Sequence, residues 1–163
     1  MARVVMTLGD DISTDTIYPG RFMATVLPTE TPMFAFADYA EFNQKVKNKE
    51  LEPGSVIVAG WNFGCGSSRE QAASCLNGPG LVIVARAFAR IFLQNSINLG
   101  LRTVICPDIE ASEGDDLEIS ETQVVNKTTG KTYAVEPLPK ARQAIVDAGG
   151  LIPYTRKRLL ERE

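Results

Sequence analysis

The residue types best suited to chemistry in this chain lie in residues 64–70, Gly-Cys-Gly-Ser-Ser-Arg-Glu. We expect a short helix over residues 68–76, with Ser67 or Ser68 as its cap. Glycines let the backbone approach a ligand closely, and the free N–H groups and dipole of a helix start favour an anion. The guanidinium of Arg69 can bind a carboxylate through two parallel hydrogen bonds. The stretch therefore predicts a site for a small carboxylate or a phosphate.

Other loop motifs do not fit this spacing. A Walker A loop needs Lys followed by Ser or Thr after its last glycine, and none follows here. A dinucleotide-binding fingerprint needs Gly where Arg69 stands. A nucleophile elbow needs glycines on both sides, whereas Ser68 has Gly66 before it and Glu70 after it. The alternative to an anion site is that Ser67 or Ser68 only caps a helix. Capping, however, requires neither the paired glycines nor the arginine.

A strand–helix–strand–helix–strand unit must position this loop. Its first two strands are unbroken apolar runs between turn signals, which is typical of strands buried on both faces. The second helix ends at Gly100, where glycine is favoured after a helix. We expect strands over residues 55–60, 81–85 and 101–106, with helices over residues 68–76 and 87–100 between them.

The flanks of this unit are rich in predicted strands. A hairpin turn over residues 128–131 contains Gly130, and residues 9–20 are turn-rich and acidic, which predicts a loop. Further strands are expected over residues 3–8, 116–120, 123–127 and 131–137, and helices over residues 33–49 and 138–149. The whole chain, residues 1–163, is expected to form one α/β domain.

Composition narrows the function classes. The chain has 17 Lys and Arg against 20 Asp and Glu, for a net charge of -3. No basic block indicates nucleic acid, and no apolar run is long enough for a membrane span. The first residues lack the pattern of a signal peptide, so we expect a cytoplasmic protein.

Two residue counts limit the chemistry further. There is no histidine, so acid–base work must use Ser, Asp, Glu, Lys, Tyr or residues of a partner. The three cysteines, Cys65, Cys75 and Cys106, are widely spaced and match no metal-binding, cluster-binding or disulfide pattern. We therefore expect no metal or cofactor to be bound by this chain.

Three segments, in order, resemble one family. Residues 62–72 contain the Gly-x-Gly-Ser-Ser-Arg-Glu signature, and residues 10–20 and 82–101 match two further segments. All three are similar to small subunits of isopropylmalate isomerase and homoaconitase, and to the swivelling fourth domain of aconitase. The resemblance implies an aconitase-type swivelling β/β/α domain, with a central strand–helix–strand unit and β-rich flanks.

The same resemblance implies roles for individual residues. Ser67 would be the base that takes a proton from the carbon next to a carboxylate. Arg69, beside Gly66 and Ser68, would bind a substrate carboxylate. Asp15 would be the second catalytic residue, at the edge of the site, where it would pair with acid–base groups of the large subunit. The [4Fe-4S] cluster would belong to a large subunit, in a heterodimer or heterotetramer. Because a serine can act as a base only as an alkoxide in a dry, polar site, this chain alone should be inactive.

The expected specificity loop departs from the family. Its usual Tyr-Leu-Arg-Thr aligns with Phe22, Met23, Ala24 and Thr25, so the arginine is missing, although Arg21 lies just before. The apolar residues would suit a small alkyl group, with ordinary loop packing as the alternative. We expect a hydro-lyase acting on a hydroxy-diacid. The first candidate substrate is 3-isopropylmalate, of leucine biosynthesis, followed by citramalate or dimethylmalate. Homoaconitate, with an extra carboxylate, ranks lower unless Arg21 supplies the cation that it needs.

Two non-enzymatic alternatives remain open at this point. A dicarboxylate-binding module could use the same anion loop, because binding needs Arg69 but not an intact Ser67. A phosphate-binding domain is the weaker alternative, because the lysine and magnesium ligands of such sites are missing.

Overall fold

A seven-stranded sheet in the order β4-β3-β2-β1-β5-β6-β7 runs through the computed structural model, which describes residues 2–162. Adjacent strands from β1 to β4 are parallel, and β1, β5, β6 and β7 pair antiparallel. The strands are β1 (Ala2–Thr7), β2 (Val56–Ala59), β3 (Val82–Ala85), β4 (Arg102–Ile105), β5 (Asp116–Ile119), β6 (Gln123–Asn126) and β7 (Lys131–Ala134).

Alternate residues of the parallel strands enter two separate cores. Ile57 and Ile83 pack under the helices, whereas their neighbours Val56 and Val82 pack against the antiparallel strands through residues such as Leu117. Both faces are therefore buried, which explains the unbroken apolar runs. The predicted β/β/α layers around a strand–helix–strand–helix–strand unit are confirmed.

Six helices accompany the sheet within the described residues. No helix among them combines the length and the apolar composition that a membrane span needs. They are α1 (Thr14–Ile17), α2 (Ala40–Lys47), α3 (Glu70–Asn77), α4 (Arg90–Leu99), α5 (Lys140–Asp147) and α6 (Leu151–Glu161).

The expected start of α3 is wrong. The helix begins at Glu70, and its N-cap is Arg69, with no side-chain capping bond, rather than Ser67 or Ser68. The cause is the extended backbone of Arg69, with φ −61° and ψ 113°. Both serines precede this extended residue, so neither is placed to cap the first turn.

Two other sequence expectations differ in detail. The loop over residues 9–20 contains the short helix α1, capped by Ser13, whose Oγ accepts the Thr16 N–H. The helix expected over residues 33–49 is divided into a 3₁₀ turn (Thr31–Phe34) and α2. Phe36 lies between them with φ +48°, in the left-handed region, which a continuous right-handed helix does not allow.

The pairing of β1 and β2 continues beyond the ends of both strands. Backbone hydrogen bonds join the two following loops in a fixed register, so these loops leave the carboxyl edge of the sheet together. The bonds run from Leu8 N to Val58 O, Gly60 N to Gly9 O, Asp11 N to Trp61 O, Gly64 N to Ile12 O and Thr14 N to Cys65 O. We call these contacts the loop ladder.

Candidate active site

Two glycines shape the loop that carries Ser67. Gly64 has φ +85°, and a Cβ on it would overlap the buried ring of Phe92. Gly66 has φ +104° and is exposed, as is Ser67. The loop therefore lies tightly on α4 at its first glycine and opens to the surface at the serine.

Ser67 lies against the start of α1. Its Oγ is 3.2 Å from Oγ1 of Thr14, and its N–H donates to the same oxygen at 3.2 Å. The Thr14 side chain is buried, whereas Ser67 and Ser68 are exposed. Sequence reasoning missed Thr14, although its position next to Asp15 in the acidic segment was an available signal.

Asp15 and Arg69 form an ion pair beside the serines. Asp15 Oδ1 accepts from Arg69 Nη1 at 2.7 Å and from the Gly20 N–H at 2.9 Å. Arg69 Nη1 also donates to the Tyr18 carbonyl at 3.2 Å. The hydrogen bond from Arg69, followed by that from Gly20, holds the pKa of Asp15 below its usual value.

The Asp15 pair leaves part of the Arg69 guanidinium free. Within residues 2–162, every hydrogen bond of this guanidinium uses Nη1, and Nη2 makes none. The Arg69 side chain is 21% exposed against 67% for Asp15. The arginine is thus held in place at Nη1, and Nη2 keeps donors that no described residue uses.

The expected specificity loop, residues 21–25, lies next to this pair. Gly20, which begins its 3₁₀ turn (Gly20–Phe22), binds Asp15, and Gln71 of α3 donates to the Met23 carbonyl at 3.4 Å. The Tyr18 hydroxyl donates to the carbonyls of Phe22 and Thr25. Met23 and Ala24 are exposed. The structure thus brings the loop and the serine–arginine segment together.

Arg21 is bound by a residue that sequence reasoning did not identify. Its Nη2 lies 2.6 Å from Oδ1 of Asp38, and its Nη1 donates to Oδ2 at 3.4 Å. The hydrogen bond from Arg21 lowers the pKa of Asp38. The guanidinium also lies 4.6 Å from the centroid of the Phe22 ring, which stacks on Phe34 at 4.2 Å.

Two of the three cysteines, Cys75 and Cys106, are buried. Cys75 is fully buried, and burial raises its pKa strongly; burial also raises the pKa of Cys106 to about 11. No group of three or more His, Cys, Asp or Glu among residues 2–162 is arranged to hold a metal ion.

Known proteins share this fold and these loops. Residues 11–108 match the family model described as the aconitase C-terminal domain. This match covers the loop ladder from Asp11 onward, the serine–arginine segment and the unit from β2 to β4. The chain therefore contains the domain of the aconitase class.

More specific relatives match nearly the whole chain. The 3-isopropylmalate dehydratase small subunit of Thermodesulfovibrio yellowstonii is 41% identical over 95% of this chain and 93% of its own. The isopropylmalate/citramalate isomerase small subunit of Methanocaldococcus jannaschii is 42% identical over 96% of this chain and 94% of its own. A crystal structure of 3-isopropylmalate dehydratase from the latter organism matches this chain with a TM-score of 0.88 and 39% identity. The match covers 99% of this chain and 95% of that one. The chain belongs to the family of 3-isopropylmalate dehydratase small subunits, which confirms the resemblance.

Proposed function

We propose that this chain is the small subunit of a hydro-lyase that isomerises 3-isopropylmalate by dehydration and rehydration, in leucine biosynthesis in the cytoplasm. The observation that carries the proposal is the placement of the exposed Ser67 hydroxyl and the Asp15–Arg69 pair on two loops joined by the loop ladder. The names of the relatives support the reaction and the substrate.

The proposed chemistry assigns separate tasks to neighbouring residues. Arg69, with the Ser68 hydroxyl beside it, binds a substrate carboxylate. Ser67, as an alkoxide, removes the proton from the carbon next to that carboxylate. The electron pair of the broken C–H bond forms the carbon–carbon double bond, and the hydroxyl group departs from the neighbouring carbon. Rehydration reverses these steps with the hydroxyl group placed on the other carbon.

The open site supports the need for a partner. Ser67 and Ser68 are exposed, and an alkoxide is stabilised by fixed donors only where water is excluded. We propose that a large subunit covers this surface, in a heterodimer or heterotetramer. Its [4Fe-4S] cluster would supply the Lewis acid that binds the departing hydroxyl group. The "small subunit" names of the relatives support such a partner.

Citramalate is the second candidate substrate. The relative from Methanocaldococcus jannaschii is named an isopropylmalate/citramalate isomerase small subunit. The apolar Phe22 and Met23 suit either alkyl group. The pairing of Arg21 with Asp38 disfavours homoaconitate, because the cation needed for an extra carboxylate is already neutralised.

The decisive experiment mixes this chain with a large subunit that carries a reconstituted cluster. Formation of the unsaturated diacid from 3-isopropylmalate, citramalate or dimethylmalate is followed by its ultraviolet absorbance, and hydration of homoaconitate, which is already unsaturated, by the loss of that absorbance. We expect turnover only when both chains are present, fastest with 3-isopropylmalate. If the isolated chain binds these diacids but no mixture turns them over, the chain is a binding module and the proposal fails.

A further inference from the structure

One buried hydroxyl contacts Ser67 at three of its atoms. Oγ1 of Thr14 accepts the Ser67 N–H, lies 3.2 Å from the Ser67 carbonyl oxygen and lies 3.2 Å from Ser67 Oγ. Thr14 is 2% exposed, whereas Ser67 is exposed. A single side chain therefore fixes both the backbone and the hydroxyl of the proposed base from the protein side.

Because the Thr14 hydroxyl has only one proton, its hydrogen bonds to Ser67 depend on whether Ser67 is protonated. A hydroxyl has one proton to donate and two lone pairs that accept. While Ser67 keeps its proton, Thr14 can donate to the Ser67 carbonyl and accept from Ser67 Oγ. Once Ser67 has lost its proton, Ser67 Oγ can only accept, and the Thr14 proton can turn to it. A hydrogen bond to a charged oxygen is about twice as strong as one between neutral groups.

Thr14 is itself held firmly. Its N–H donates to the Cys65 carbonyl at 2.7 Å, and its own carbonyl accepts from Tyr18 at 2.8 Å. Its branched side chain has restricted rotation about χ1. A Cβ on Gly66 would lie 3.4 Å from Thr14 Oγ1, so the glycine leaves room for this close approach.

We propose that Thr14 is a positioning residue for Ser67, which orients its hydroxyl and donates to its oxygen after proton loss. This inference rests on the proposed function, in which Ser67 Oγ receives the proton of the substrate. Thr14 acts through Ser67 and needs no contact with the substrate. Its substitution should therefore lower kcat and leave KM nearly unchanged.

The test compares hydroxyl and methyl at one position. Thr14→Val removes the hydroxyl and keeps the branched shape, and Thr14→Ser restores the hydroxyl. Thr16→Val is the matched control, because Thr16 Oγ1 bonds Ser13 Oγ in the same short helix and lies outside the contacts of Ser67. Each variant is assayed in the complex with the large subunit, and its folding is checked by thermal unfolding. Thr14→Ala replaces Thr14→Val if the valine variant does not fold.

We expect Thr14→Val to lower kcat by about tenfold or more, with KM within about twofold of wild type. Thr14→Ser and Thr16→Val should stay within about threefold of wild-type kcat, as expected if the hydroxyl of Thr14 is what matters. A folded Thr14→Val with wild-type kcat would overturn the inference. A folded Thr14→Ser as impaired as Thr14→Val would also overturn it, because the hydroxyl would then not be responsible.

A second measurement does not depend on turnover. In the chain alone, the Ser67 amide donates to a buried oxygen, so its hydrogen exchange should be faster in Thr14→Val and near wild type in Thr14→Ser. Unchanged exchange in Thr14→Val would overturn the positioning role. If the wild-type complex turns over no diacid, the proposed function fails, and the exchange result still decides whether Thr14 holds Ser67.

Discussion

Asp15 Oδ1 lies 2.7 Å from Arg69 Nη1, although the two residues are 54 positions apart in the chain. The contact joins the two loops that leave β1 and β2, and it holds one nitrogen of the proposed carboxylate-binding arginine. Asp15 remains largely exposed, so the pair is more important for geometry than for stability.

The Asp15–Arg69 pair predicts a specific dependence of stability on pH. Because the pKa of Asp15 is lowered in the folded protein, its stabilising effect is complete above the unfolded value of about 3.9. The effect is lost as the pH falls through the lower folded-state pKa. We expect Asp15→Asn to lower Tm slightly at pH 7 and to match wild type near the acid limit. Thermal unfolding across this range measures it, and an equal Tm difference at every pH would contradict the prediction.

Ser67 and Arg69 should differ in their kinetic effects. Ser67→Ala removes the proposed base and leaves the guanidinium, so we expect a large loss of kcat with little change in KM. Arg69→Lys keeps the charge but loses the planar fork, so KM should rise and kcat should fall. Steady-state kinetics of the complex, with Arg156→Lys as a control on α6, measures both. A Ser67→Ala variant with wild-type kcat would exclude Ser67 as the base.

The Arg21–Asp38 pair should influence substrate choice. Asp38→Asn removes the charge that neutralises Arg21 and leaves the arginine free to bind an added carboxylate. We expect the ratio of kcat/KM for homoaconitate over 3-isopropylmalate to rise several-fold, about the effect of one exposed ion pair. The double variant Arg21→Ala, Asp38→Asn is the control, and it should not show the rise. A rise in the double variant as well would show that Arg21 is not responsible.

Gly64 should tolerate no side chain. Its φ of +85° and the overlap of an added Cβ with Phe92 both oppose alanine, and Phe92 is fixed between Phe63 and Phe88. We expect Gly64→Ala to lower the free energy of unfolding by about 3 kcal/mol. Gly130→Ala, at φ +78° with no atom within 4 Å of the added Cβ, should cost only about 1 kcal/mol. Urea unfolding measures both, and equal losses would exclude the Phe92 overlap as the cause.

The sequence predicted the fold where burial leaves a periodic or unbroken apolar pattern. The strands β2 and β3 show that pattern because both of their faces are covered. The four residues of α1 are too few to show helical periodicity, so the sequence indicated only a loop. Phe36 divided a predicted helix through its backbone conformation, which an aromatic residue does not indicate in advance.

In the candidate site, the sequence predicted the residues that are adjacent in the chain and missed those that meet only after folding. Residues 64–70 carry their chemistry in adjacent positions, so the sequence alone indicated an anion-binding loop. The contacts of Thr14 with Ser67 and of Asp38 with Arg21 span 53 and 17 positions. Neither partner has a residue type that indicates its target, and only the folded chain brings them into contact.

The loop ladder makes the number of residues before Asp15 as important as their identity. Inserting or deleting one residue between β1 and α1 would shift the register of the loop ladder by about 3.3 Å, more than the length of the hydrogen bond between Asp15 and Arg69. Changes in chain length should therefore accumulate elsewhere, for example in the open turn at Gly130. Among homologous sequences, the spacing from the first strand to this aspartate should be more uniform than the residues that fill it.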